Sequence, residues 1–146
     1  IMIPEHYVPD LDLRMGLYRR LGDLEDRAAI DAFAAEMIDR FGTLPSETAN
    51  LMKIVEVKLN CRAANVAKLD LGAKGAVVTF GETGPPDLPG LLAYIDRLKG
   101  TARLRPDMKM VLSREWPTAE ARLNGALQLS RGLAKVGLGS RQMEAA

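Results

Sequence analysis

Ala35-Glu36-Met37-Ile38-Asp39-Arg40-Phe41-Gly42-Thr43-Leu44-Pro45 ends one helix, makes a tight turn and launches the next. At about 100° per residue, Ile30, Phe33, Met37, Ile38 and Phe41 follow i, i+3, i+7, i+8, i+11 spacing and read as one buried stripe. Glu36, Asp39 and Arg40 are expected on the other side, three and four residues apart and so neighbours on the helix surface. Gly42 stands where a left-handed C′ residue is wanted, and Pro45 follows where the helix cannot continue. Two readings of the charged trio remain open at this point. It is either a solvated face with an i,i+4 ion pair and a cation near the helix C-terminus, or a docking surface.

The chain upstream supports a helical N-terminal half. Pro4 and Pro9 punctuate an extended lead-in, Ile1-Met2-Ile3-Pro4 and Tyr7-Val8-Pro9-Asp10, with Asp10 or Asp12 as N-cap. A first helix is expected over 13–21, with Leu17, Tyr18 and Leu21 inward and Arg14, Arg19 and Arg20 largely outward, broken by Gly22-Asp23. The second runs over 24–41 and contains the stripe above. After the turn, Ser46 or a neighbour caps a third helix over 47–65. Met52, Val55, Leu59 and Ala63 mark its main apolar side, and Leu51, Ile54 and Val66 widen it, so burial on more than one side makes it the expected central helix.

Downstream the hydrophobic period drops to two. Residues 66–71 alternate, Gly72-Ala73-Lys74-Gly75 is turn-like and 76–80 is strand-like, which predicts a β-hairpin. Asp87 caps a helix over 88–99, with Leu88, Leu91, Leu92, Ile95 and Leu98 inward and Gly100 closing it. Residues 102–105 and 108–112 flank Pro106-Asp107 as a second hairpin. Trp116-Pro117 opens a last helix, with Pro117 in its first turn. It extends to about Val136, packs through Leu123, Ala126, Leu127 and Leu133 despite Gly125 and Gly132, and frays from Gly137. The fold class is therefore α+β: N-terminal helices followed by β-β-α-β-β-α, with a small, mainly antiparallel sheet and helices on one face.

At 146 residues the chain is expected to form a single domain, 1–146, long enough to bury a real core. Its start, Ile1-Met2 rather than an initiator Met, suggests an excised piece of a longer protein. With 47% hydrophobic and 27% charged residues it is not compositionally disordered, and 5% aromatics argue against a base-stacking platform. The net charge of +1 hides an asymmetry: residues 1–50 carry ten acids against five bases, and the remainder nine acids against fifteen bases. Such a division suits an acidic face meeting a basic partner, or two halves that neutralise each other. One cysteine, Cys61, excludes an intrachain disulfide and fits a reducing, cytoplasmic setting. Cys61 itself reads as a small buried hydrophobe. No run approaches the ~20 apolar residues of a membrane span.

The residues offer little chemistry. The glycines and lysine of 72–75 lack phosphate-loop spacing. His6 is the sole histidine, with no ligand partners nearby, so neither a metal site nor a histidine-activated nucleophile is indicated. Glu36 and Asp39 sit on a helix surface, without the burial that tuned acid–base pairs need. The chain is read as non-enzymatic and free of cofactors. Arg103, Arg105, Lys109 and Arg114 form a candidate nucleic-acid patch on the second hairpin, though edge strands also carry such cations to discourage aggregation.

The run Ile3-Pro4…Tyr7-Val8-Pro9-Asp10…Arg14…Tyr18-Arg19-Arg20, followed by Glu36-Met37-Ile38-Asp39-Arg40-Phe41-Gly42-Thr43-Leu44-Pro45, resembles the C-terminal domain of bacterial transcription-repair coupling factors. The resemblance extends over essentially the whole chain, with the second half matching in pattern alone, and Met37 stands where the family often has Leu. It implies a regulatory domain without a motor, belonging to an ATP-driven, helicase-like DNA translocase that removes stalled RNA polymerase and recruits the excision-repair protein UvrA. It further implies docking on the parent's UvrB-like N-terminal module, which masks the UvrA-binding surface. DNA would be engaged by the parent rather than by this domain. The family's docking residues correspond to Glu36, Asp39 and Arg40.

Overall fold

In a computed structural model, the backbone of residues 2–145 and the side chains of residues 2–139 are described; the expectation of extended geometry at Ile1 lies outside them. The chain divides into two compact units, Ile1–Leu59 and Asn60–Ala146.

The first unit is helical. Helix α1 spans Leu11–Asp23, α2 Arg27–Phe41 and α3 Ser46–Ala63, the last crossing the boundary between units. Asp10 and Asp26 are the N-caps of α1 and α2, their carboxylates accepting from the amides of Leu13 and Ala29. Gly22-Asp23 does not break α1, because the turn is completed before the extended residue Leu24 stops it. Residues 24–26, expected inside α2, instead form the short link, since Asp26 is spent as a cap. Ser46 is likewise helical rather than a cap. Ile3, Tyr7, Val8, Leu17, Leu21, Ile30, Phe33, Met37 and Met52 form the core, so the lead-in is packed, and it is not extended throughout: residues 5–7 turn, with the amides of Tyr7 and Val8 both donating to the Pro4 carbonyl at 3.1 Å. Ile3 donates its amide to the Tyr18 hydroxyl at 2.6 Å. Arg14, expected outward, is half-buried and donates to the carbonyls of Val8 and Pro9 at 2.9 and 3.1 Å.

The second unit is a four-stranded antiparallel sheet with two helices. Strands β1 (Val66–Gly72), β2 (Gly75–Phe80), β3 (Ala102–Leu104) and β4 (Met110–Ser113) lie in the order β1-β2-β4-β3. The predicted first hairpin is present, with Gly72 opposite Gly75 and Ala73-Lys74 at its tip. Register places Leu69, Val78, Met110 and Leu104 in one row, and Ala76, Leu112 and Ala102 in the next. These rows face α4 (Leu88–Arg97) and α5 (Ala119–Ala145), which supply Leu91, Leu129 and Leu133 to the same core. Asp87 caps α4, its carboxylate accepting from the Gly90 amide at 3.0 Å. The α+β class and antiparallel sheet therefore hold.

Three expectations are corrected here. Leu88 and Leu92 of α4 are exposed, because Leu91, Ile95 and Leu98 already fill the stripe that meets the sheet. Pro117 lies outside α5: Thr118 caps it, its hydroxyl accepting from the Ala121 amide at 3.1 Å. Helix α5 also continues past Val136 through Ala145. Gly137 is buried, and a side chain there would crowd the carbonyl of Ala63, so this glycine marks a close approach rather than an end.

Candidate functional site

The site is built around α2. Its inner stripe is Ile30, Phe33 and Met37, all buried, with Phe41 half-buried at its end. Ile38 departs from the expected stripe and is 50% exposed. The reason is angular: it lies about 100° beyond Met37, past the edge of the buried sector.

The helix ends at the glycine that its pattern marks. Gly42 has φ 93°, and its amide closes on the Ile38 carbonyl at 2.9 Å. With ψ at −166° it takes an extended positive-φ conformation, not the left-handed helical one expected after a helix. Tyr7 locks this terminus, its hydroxyl reaching the carbonyls of Gly42 at 2.8 Å and Met37 at 3.1 Å. Its ring packs edge-on against Phe41 with centroids 5.8 Å apart.

The charged trio does not act as one group. Glu36 accepts two bonds from the Arg20 guanidinium of α1, at 2.6 and 2.7 Å, and a third from Arg40 at 3.0 Å. The two bonds to Arg20 lower the Glu36 carboxyl most and that from Arg40 adds to this, bringing it to about 2. Each arginine also lies over an aromatic ring, Arg20 on Phe33 at 5.0 Å and Arg40 on Phe41 at 4.9 Å. Asp39 is exposed and makes no hydrogen bond or ion pair among the described residues. Glu36 and Arg40 are therefore brought together, and Asp39 stands apart. Sequence reasoning missed Arg20. The available signal is the Arg19-Arg20 pair in the family-matched run, but its partner lies sixteen residues away on another helix.

The cationic group on the second hairpin is also divided. Arg103 pairs across the ladder with Val111, and the Arg105 amide bonds the Lys109 carbonyl, so alternation puts Arg103, Arg105 and Lys109 on the sheet face away from α4 and α5. Arg105 is held by Asp107 at 2.7 Å. Lys68 and Asp70 share that face and pair at 3.6 Å. Arg114 lies on the opposite side, where with Arg97 it opposes the rise in the Tyr94 hydroxyl pKa caused by burial.

Other candidates are simple. His6 is exposed, and no cluster of metal-ligating side chains occurs among the described residues. Cys61 is half-buried, and burial pushes its thiol pKa up, away from the reactive thiolate. No helix among the described residues is long and apolar enough to cross a membrane.

Against this geometry, the TRCF domain family matches residues 1–91, the segment containing α1, α2, α3 and the first hairpin. The chain belongs to that family. It is 41% identical over 112 residues to the transcription-repair-coupling factor of Rickettsia bellii (strain RML369-C), covering 76% of this chain and 10% of that protein. It is 30% identical over 110 residues to the Escherichia coli (strain K12) factor, covering 71% of this chain and 10% of that one. The chain thus spans about a tenth of the length of the curated relatives it matches. Its fold is similar to the crystal structure of the C-terminal domain of a transcription-repair coupling factor, with TM-score 0.74 and 17% identity over 94% of this chain and 89% of that one. At that identity the likeness speaks for the fold of this TRCF-family chain, and the outward face of α2 carries the functional argument.

Proposed function

We propose that this chain is a non-catalytic, autoinhibitory docking domain of a transcription-repair coupling factor. It binds the UvrB-like N-terminal module of the protein that carries it, through the α2 face that includes Glu36, Asp39 and Arg40, and so masks the surface that recruits UvrA. The parent supplies ATP-driven translocation, contact with DNA and removal of RNA polymerase, while this domain works without a cofactor of its own in the cytoplasm.

One observation carries the reading: α2 presents Asp39, a carboxylate with no partner among the described residues, beside the exposed Ile38, on a helix whose end is fixed by Tyr7 and Gly42. A rigid helix end with unused charge and apolar surface is suited to a polar interdomain contact that a competing ligand can displace. The test is a pull-down of this domain by the N-terminal module. Glu36→Ala together with Asp39→Ala should weaken capture and, in the full-length parent, raise UvrA binding. Unchanged UvrA capture by the double variant would remove these residues from the docking role.

A further inference from the structure

The sheet has two free edges, and they differ. The order β1-β2-β4-β3 leaves β1 and β3 each with one unpaired side. On β1 the exposed Lys68 and Asp70 pair with each other at 3.6 Å, and a register shift between Val66 and Lys68 interrupts the ladder. A charge-neutral, bulged edge is a guarded one. On β3 the charges are unspent. Neither Arg103 nor Lys109 has a side-chain hydrogen bond or ion pair among the described residues. Arg105 and Lys109 stand opposite each other at the mouth of the hairpin. Opposed like charges cost stability, and Asp107, bonded to Arg105 at 2.7 Å, answers a single one of the three cations.

The backbone of β3 is open as well. The Ser113 amide donates to the Thr101 carbonyl, and the Arg105 amide to that of Lys109, both at 2.8 Å. In an antiparallel ladder hydrogen-bonded pairs alternate with unbonded ones. Thr101, Arg103 and Arg105 therefore turn their backbone polar groups toward β4. Ala102 and Leu104, opposite Leu112 and Met110, turn their amides and carbonyls off the edge of the sheet. No backbone group meets them among the described residues.

We infer that the free edge of β3 accepts an acidic, extended segment of a protein partner, added antiparallel as a further strand. Main-chain hydrogen bonds at Ala102 and Leu104 hold the segment, and alternation sorts its side chains. A residue opposite Arg103 lies on the cationic face, where a carboxylate meets Arg103 while Arg105 and Lys109 add to the attraction. Its neighbours, opposite Ala102 and Leu104, lie on the α4 side beside the half-buried Leu104 and are apolar. A second copy of β3 does not suit this edge, because antiparallel pairing centred on Arg103 sets arginine against arginine. The inference is independent of the α2 docking reading and uses the other compact unit of the chain.

The experiment titrates the 146-residue chain, at low salt, into a fluorescein-labelled peptide that alternates glutamate with valine, read by fluorescence anisotropy. This peptide should bind, and one that alternates lysine with valine should not. N-methylation separates the backbone contact from the charge. In the added strand the valine amides point at β3 and the glutamate amides point away. Methylating the valine amides should therefore abolish binding, and methylating the glutamate amides should preserve it. Arg103→Glu should weaken binding about tenfold or more, since it sets like charges against each other. Arg114→Glu, on the other side of the sheet, should leave it unchanged. Equal binding of the two methylated peptides would overturn strand addition, and equal binding of the lysine peptide would overturn selection by charge. A glutamate peptide that does not bind at all overturns both. Duplex DNA that binds more tightly than the peptide, and is lost in Arg103→Glu, would assign the face to nucleic acid and overturn the inference.

Discussion

The guanidinium of Arg20 grips the carboxylate of Glu36 through two short hydrogen bonds, joining α1 to α2 across sixteen residues of sequence. Arg40 approaches the same carboxylate from one turn away along α2. Both arginines lie on aromatic rings, so the ion pairs are held in place by packing as well as by charge. An isolated exposed ion pair contributes little. Here one carboxylate serves two guanidiniums whose positions are already restricted, which reduces the side-chain entropy lost in forming the pairs.

The pH dependence of this arrangement has a definite sign. In the folded chain Glu36 titrates at about 2, below the ordinary glutamate value of roughly 4.3. A carboxyl whose folded pKa is depressed adds stability that is fully present above the unfolded value and is lost as pH falls toward the folded one. Urea unfolding followed from about pH 6 to about pH 2.5 should therefore show an acid-side loss of stability that is smaller in Glu36→Gln. Arg20→Ala should move the Glu36 carboxyl resonance to a higher titration midpoint, because Arg20 is the larger of its two perturbers. An unmoved midpoint would show that Arg20 does not hold this carboxylate in solution.

Tyr7 ties the N-terminal lead-in to the end of α2, and removal of its hydroxyl isolates that role. In Tyr7→Phe the ring stays against Phe41 while the carbonyls of Met37 and Gly42 lose a donor. The cost should be about 1–2 kcal/mol by chemical denaturation, the range for leaving a buried acceptor less well satisfied. Because the hydroxyl fixes the helix end that presents Ile38 and Asp39, amide exchange at Gly42 should accelerate in the same variant. Exchange rates equal to those of the unaltered chain would separate Tyr7 from that terminus.

The end of α2, the first hairpin and the α+β class are legible in the sequence because each depends on local chemistry: Gly42 before Pro45, two-residue alternation, and Asp87 as a cap. What escapes it is partnership at a distance. Ile38 stands eight residues after Ile30, a spacing that helical recurrence accepts, and only the width of the buried sector shows that it lies past the edge. Arg20 and Glu36 share no pattern. Glycine is a weak helix former, which is why fraying is expected from Gly137, whereas the backbone carbonyl packed beside it explains why a larger residue is absent. Nearness in sequence groups Arg103, Arg105, Lys109 and Arg114, and strand alternation divides them.

Two glycines should respond very differently to alanine. Gly75 has φ 131°, and an added Cβ would overlap the Leu112 carbonyl oxygen, so strand β4 would have to move. Gly75→Ala should cost more than ~3 kcal/mol or prevent folding of the sheet. Gly42 has φ 93° and ψ −166°, a region open essentially to glycine alone, but nothing near an added Cβ, so Gly42→Ala should cost about 1–3 kcal/mol, the strain of the backbone conformation without a clash. Equal losses at the two positions would mean that the close approach of β2 to β4 does not limit Gly75.

The second hairpin allows a quantitative statement about nucleic acid. Of its four cations, Arg103, Arg105 and Lys109 share a sheet face, Arg105 is already bonded to Asp107, and Asp70 offsets Lys68 on the same face. Each phosphate neutralised on duplex DNA contributes about 0.9 to the slope of log affinity against log salt, so three cations support a slope no steeper than about −2.7. Binding of the chain to duplex DNA should be weak at low salt and vanish near physiological salt. Asp107→Asn should strengthen it slightly by releasing Arg105, and Arg114→Ala should leave it unchanged because that side chain lies on the other side of the sheet. A slope well beyond about −3 in a fluorescence titration would require phosphate contacts outside this face and would favour a nucleic-acid role over protein docking.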